Sequence, residues 1–318
     1  MLRTTSTTST WKRFLIISVM ILLGVATAAL ELTTESLAAE QPRVTFASPA
    51  EAGVALAKAA TAVDEYSLSD ILGLDVKTLL LAGNDKEDKA ALQAFAAKYE
   101  TMNRWVDMSD GSRVLYIGAD NFAFPVPLAQ DSSGRWYFDS IAGAEEVRAR
   151  DIGRNELLAI DACNALSYAQ QMYFAGRGHL TEYAQRIVST QGKQDGLYWP
   201  VSAKQPPSPL ASIEQFPKPS VGSLSTGEPS VLDGYTFRIL TAQGNDAPGG
   251  ARKYVVNGKM TDGFAILATP VKYAETGIMT FMAGPHGVVY ERDFGQDTSK
   301  IAASVQEFNP TEAWSPVE

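Results

Sequence analysis

The sequence predicts an α+β fold in two packed units, each a helical stretch followed by an antiparallel β-meander. Three observations predict it. Apolar residues spaced three and four apart run through residues 48–100, the period of helices packed on one face. The pattern then changes to short strand-like runs, parted by turn residues, over 112–139. The same order returns after residue 153, where one long helical stretch precedes five short strand-like runs. Helices segregated from antiparallel strands along a chain are the mark of the α+β class.

Each element has its own local warrant. Ser48-Pro49-Ala50-Glu51 is a capping box, with Ser at the N-cap, Pro at the first helical position and Glu at the third. Ala52, Ala55, Leu56, Ala59 and Val63 then share a helical face. A short second helix is expected over 68–72, ended by Gly73, and a third over 87–100, where Leu92, Phe95, Ala96 and Tyr99 align. Strands are expected over 112–118, 121–128 and 135–139, with Ser132-Ser133-Gly134 as a turn. The middle one should be an edge or bulged strand, because Pro125 and Pro127 cannot donate to a ladder.

The second unit opens near Gly153 with a helix over 155–174. Leu158, Ala162, Ala165, Leu166, Ala169 and Tyr173 gather on one side, while Leu157, Ile160 and Tyr168 lie outside that arc. Such a helix is expected to be covered on more than one side, by its own sheet and by the N-terminal unit. Residues 192–233, rich in Pro, Ser and Gly, read as a functional loop or a long surface connection. Strands follow over 235–242, 253–257, 264–270, 278–283 and 288–292, with Gly284-Pro285-His286-Gly287 turning between the last two and a closing helix over 298–308.

Ahead of both units, Arg3, Lys12 and Arg13 precede an apolar run over 14–25, and Ala26-Thr27-Ala28 offers a small-x-small cleavage site. That is the order of an export signal. The run, about a dozen residues, falls short of the roughly 20 that a membrane span needs. Residues 1–28 therefore read as a cleaved signal peptide, 29–45 as a tether, 46–150 as an N-terminal α+β domain and 151–318 as a C-terminal domain of long helix plus antiparallel sheet. No membrane span is expected after cleavage; an uncleaved signal would instead serve as an N-terminal anchor. The expected location is periplasmic or extracellular.

Composition narrows the function classes. The formal charge is −9, and removing residues 1–28, with their three cations, takes it to −12. An acidic chain with no basic run beyond Arg13 repels phosphate backbones, so no nucleic-acid partner is expected. Cys163 is the only cysteine, so no intrachain disulfide can form and stability must come from buried apolar area.

Several stretches, taken together, resemble an uncharacterised family of exported bacterial proteins, domain-of-unknown-function family 2950: FASPAEAGVAL at 46–56, FDSIAGAEEVRARDIGRNELLAI at 138–160, EYAQRIVSTQGKQDGLYWP at 182–200, YTFRILTAQG at 235–244 and GVVYERDFGQDT at 287–298. The resemblance covers nearly the whole chain beyond the signal and implies no catalytic residues. A fainter likeness links the C-terminal half, a long helix followed by GYTFRIL, DGFAILATPV and TGIMTFMAGPHGVVYERD, to the globular part of type IV pilin-like proteins. It implies a helix laid on an antiparallel sheet. About 125 residues part the signal from Asn155 here, whereas in pilins that helix continues directly from the membrane-inserted N-terminus, so only the fold is implied. The N-terminal half is loosely similar to cystatin-like and nuclear-transport-factor-2-like (NTF2-like) α+β domains, an analogy of fold alone.

Reactive side chains are few. His179 and His286 are the only histidines, and Ser-His-Asp or Cys-His catalysis needs one of them as base. His286 falls in a predicted surface turn and His179 just past the long helix, while Cys163 lies beside the apolar arc with no neighbour to favour a thiolate. Glu291, Asp293 and Asp297 form a calcium candidate through oxygen ligands, without the Asp-x-Asp-x-Asp-Gly loop. An acid–base pair for glycoside cleavage could lie among the carboxylates. Phosphate-loop and heme-attachment motifs are absent, and no cofactor is expected. Tyr198 and Trp199, which open the irregular stretch, are the loop candidates for binding, although such aromatics also plug the edges of cores. The expectation is an exported cell-envelope protein, non-enzymatic, that binds an envelope protein or cell-wall ligand at the junction of its units or along 192–233. Its alternatives are a carboxylate-dependent hydrolase of envelope polymer and a pilin-like assembly component.

Overall fold

Ser48 sets the first helix. Its backbone is extended, its Oγ accepts the Glu51 N–H at 3.2 Å, and the Glu51 carboxylate reaches back to accept the Ala47 N–H at 2.7 Å. Pro49 stands first in the helix, where a missing N–H costs nothing. The resulting α1 (Pro49–Ala62) buries Ala52, Leu56, Ala59 and Ala60. The computed structural model describes residues 43–81, 83–176, 181–200, 206–213 and 230–317, all within one compact unit. The signal, most of the tether and His179 lie outside them, as does much of 192–233.

Helix α2 (Glu65–Leu72) starts earlier than its apolar residues suggest, because the Asp64 carboxylate accepts the Ser67 N–H. It ends as expected at Gly73, whose φ of 66° is left-handed. A single turn, α3 (Val76–Leu79), leads to α4 (Asp85–Thr101), capped by Asn84. Asp85, Glu87 and Asp88 in its first turn oppose the positive end of the helix dipole. Strand β1 (Asn103–Asp107) is largely exposed and shows no apolar alternation, which hid it from sequence reading. Strands β2 (Arg113–Ile117), β3 (Phe122–Ala123), β4 (Leu128–Gln130) and β5 (Trp136–Phe138) complete an antiparallel sheet in the order β1-β2-β4-β5, with β3 also paired to β2. The strand expected over 121–128 is thus two short ones with Pro125 and Pro127 between them. The chain leading into α1 is tied to this sheet: Phe46 bridges Trp136, and the Arg135 guanidinium donates to the Thr45 carbonyl at 2.8 Å.

The next helix, α5 (Ser140–Gly176), begins well before the expected 155. The Asp139 carboxylate accepts the Ile141 and Ala142 N–H groups at 3.0 and 3.1 Å, which starts it. Gly153, which reads as a boundary in sequence, faces open space inside the helix. The division expected at 150/151 therefore falls within a continuous helix. The helix serves both apolar clusters of the fold by its length rather than by two sides. Near its start Gly143 packs on Val126, and Arg150 Nη1 donates to the Ala123 carbonyl at 2.7 Å. Further on, Ala159, Ala162, Cys163, Leu166, Ala169 and Tyr173 enter the second cluster. Leu157 and Tyr168, expected to be covered, are exposed.

The second sheet has the order β15-β14-β13-β12-β7-β6, built from β6 (Ser230–Leu232), β7 (Tyr235–Leu240), β12 (Ala265–Pro270), β13 (Met279–Ala283), β14 (Val289–Asp293) and β15 (Ser315–Pro316). Two small hairpins intervene: β8 (Ala242–Gln243) with β9 (Arg252–Lys253), and β10 (Val255–Val256) with β11 (Lys259–Met260). Central β12 is buried almost throughout, so its sequence is a continuous apolar run rather than an alternation. On β7, Tyr235 and Phe237 belong to the cluster beneath α5, while the alternate Arg238 points to the opposite face. There Arg238 donates to the Ala302 and Val305 carbonyls at the end of α6 (Thr298–Ser304). That capping stops the helix short of the expected 308; Phe308 instead bridges to Gln243. The fold is α+β, as expected.

Candidate functional site

The first cluster is not solid. Four elements, α1, α2, α3 and α4, lie over a sheet of short strands, and the helices leave a cavity of about 270 Å³ between them. Its wall includes Leu56 and Ala60 from α1, Leu68 and Leu72 from α2, and Leu92 and Phe95 from α4. Leu80 and Leu81, just past α3, and Phe124 close it further. Among the described residues Lys98 is the only charged side chain in the wall.

The cavity meets solvent along its exposed lining residues, Ala91, Ala94 and Phe122. This ring lines the cavity yet is 42 % exposed, and two cations flank it: Lys98 Nζ at 5.4 Å and the Arg150 guanidinium at 5.7 Å from its centroid. Lys98 lies along Gly118, where a Cβ would meet Asp120 Oδ1 at 2.6 Å and Lys98 Cγ at 3.2 Å, and its Nζ pairs with Asp120 at 2.7 Å. Arg150 also donates through Nε to Glu146 at 2.8 Å. Arg104 holds Asn121 Oδ1 at 2.9 Å. The turn that presents Phe122 is therefore fixed from both sides. Sequence reading missed this site. The available signal was Leu79, Leu80 and Leu81, an apolar run with no strand or helix assigned to bury it.

The residues singled out in the sequence lie elsewhere. Trp199 is only 8 % exposed, belongs to the second cluster, and donates its indole N–H to the Pro206 carbonyl at 3.0 Å. Tyr198 packs half-buried on the same cluster, and its backbone bonds to Ile187 and Ser189. Glu291 and Asp293 sit two apart on β14, and Asp297 is exposed at the start of α6. Asp293 accepts from the Gly295 N–H at 2.7 Å and from the Tyr273 hydroxyl at 3.3 Å. Among the described residues no three His, Cys, Asp or Glu side chains gather into a group able to hold a metal ion. His286 is exposed in its turn. Cys163 is fully buried, and burial pushes its thiol up to about 12.

Glu291 has one electrostatic peculiarity. Burial raises its pKa above the ordinary carboxylate value, and the charge of Glu156 on α5 raises it further. Glu156 itself accepts the Ile278 and Met279 N–H groups at 2.8 and 3.0 Å, so it anchors α5 to the start of β13. A pKa raised by folding favours the native state at low pH and loses that advantage as pH rises through the native value. The Glu291→Gln variant is therefore expected to be more stable than the parent at neutral pH, with the gain shrinking towards about pH 4. Urea midpoints at both pH values check this. A variant that is less stable at neutral pH would show that the Glu291 charge is stabilised by its surroundings.

Fold and site together define an α+β protein whose described residues form two apolar clusters, the first of them hollow, with two ion-paired cations at its exposed Phe122 ring. The chain belongs to the DUF2950 family, described as a protein of unknown function, whose model matches residues 43–317. No curated protein and no solved structure matches it. Among the described residues no helix is long and apolar enough to cross a membrane.

Proposed function

We propose that this is an exported, non-enzymatic envelope protein that holds a small apolar ligand between its N-terminal helices. The observation that carries the reading is the cavity of about 270 Å³ with an almost wholly apolar wall. Protein interiors are close-packed, and an unfilled hollow forfeits contacts for every side chain around it. Its volume lies just under the ~300–1,000 Å³ of pockets that take drug-sized ligands. The basic, apolar and small-residue order of the first 28 residues supports export.

One experiment has two arms. Ala94 lines the cavity from an exposed position on α4, so a Trp there can block the opening without disturbing the buried face. The neutral probe N-phenyl-1-naphthylamine is expected to brighten saturably on the parent protein and to lose about tenfold or more in affinity on Ala94→Trp. Absence of saturable binding, or equal binding by the variant, sinks the ligand reading. For export, mass spectrometry of protein from the producing cells should show an N-terminus beyond Ala28. A full-length chain confined to the cytosol would overturn that part.

A further inference from the structure

The rim of the cavity narrows the ligand. We propose that it is a single-chain aliphatic carboxylate, its tail among Leu56, Leu72 and Phe95 and its head beside Phe122 at Lys98. This rests on the cavity reading above. A head of one charge is implied because, among the described residues, the wall has a single charged member, and it stands beside the exposed Phe122 ring. Lys98 is 41 % exposed through its side chain, and its ammonium stands 5.4 Å from the exposed Phe122 ring while the residue itself belongs to the lining. Arg150 stands on the same ring, and each of the two cations meets one carboxylate, Asp120 for Lys98 and Glu146 for Arg150. An incoming carboxylate therefore finds two cations already placed at the ring, each held by an exposed carboxylate that it can displace.

The present partner of Lys98 does not block this. Asp120 is 60 % exposed, and exposed ion pairs are worth little, so an incoming carboxylate can share or replace it at small cost. Volume sets the tail. A methylene is close to a water in size, ~30 Å³, so the hollow suits one chain of roughly eight to ten carbons and excludes a two-chain lipid.

The test compares decanoate, decanol and decyltrimethylammonium as competitors for the bound naphthylamine. Decanoate should displace it at about tenfold lower concentration than decanol, as expected for a charge-assisted hydrogen bond, and the cation should be weakest. Lys98→Gln should bring the decanoate-to-decanol ratio to about one, and Asp120→Asn, which removes the competing negative charge, should raise it. Both side chains are exposed, so the core is untouched, and binding of the naphthylamine by each variant at the parent's affinity checks that the turn they hold is kept. If the probe binds but decanol equals decanoate, or the preference survives Lys98→Gln, the carboxylate assignment is wrong while the cavity reading stands. If the probe does not bind the parent protein, both fall.

Discussion

Replacing Gln170 with leucine is expected to lower stability by about 2–5 kcal/mol, close to the sum for two buried polar groups left without partners. Gln170 is wholly buried on α5. Its Nε2 donates to the Ala184 carbonyl and its Oε1 accepts the Ala184 N–H, both at 2.8 Å. One amide side chain thereby satisfies both backbone groups of a residue in an irregular segment, much as a neighbouring strand would. Leucine fills similar space, so the cavity contribution is small and the orphaned amide and carbonyl carry the effect. For a chain of this size the melting temperature should fall by about 5–15 °C, read by circular dichroism. Gln170→Glu should also destabilise, because a carboxylate would face the Ala184 carbonyl, and should recover in part on acidification. A melting temperature unchanged by leucine would mean that water reaches Ala184 and that this clamp does not hold the segment.

The second large effect is expected at Gly277. An alanine Cβ there would lie 2.1 Å from the Tyr235 hydroxyl oxygen and 2.5 Å from Cζ, distances no side-chain contact tolerates. Tyr235 cannot step aside cheaply. It is fully buried, donates to the Met279 carbonyl at 2.8 Å, and packs on Phe281 with ring centroids 5.7 Å apart. Overpacking combined with a broken buried hydrogen bond should cost about 2–4 kcal/mol. The cause is steric rather than a backbone preference, so a double-mutant cycle distinguishes it. Tyr235→Phe removes the shorter contact but leaves Cζ in place, and the Gly277→Ala/Tyr235→Phe double variant should cost less than the two single changes added. Strict additivity, or a neutral Gly277→Ala, would refute the clash.

Legibility in the sequence followed locality. The Ser48 cap, the Gly73 stop, the turn at Gly284-Pro285-His286-Gly287 and the apolar run of β12 are decided by residues close in the chain, and all stand as expected. The start of α5 was not legible. Its first turns are polar, and two glycines interrupt them; whether a glycine ends a helix or rests on a neighbour depends on that neighbour, here Val126 beneath Gly143. Strand β1 was hidden because it is exposed and is held by pairing with β2 rather than by a buried face. Trp199 shows the same limit for sites: its residue type suits binding and core alike, and its place in the second cluster makes it a buried side chain.

By itself the sequence determined the α+β class, the order of most elements, the capping chemistry, the acidic balance and the family to which the chain belongs. Only the tertiary structure decided that α1, α2 and α4 stand apart over their sheet, leaving a hollow whose lining includes Lys98 and the exposed Phe122. The reason is that apolar periodicity records which faces turn inward, whereas the space left between those faces depends on helix separations that no local pattern encodes.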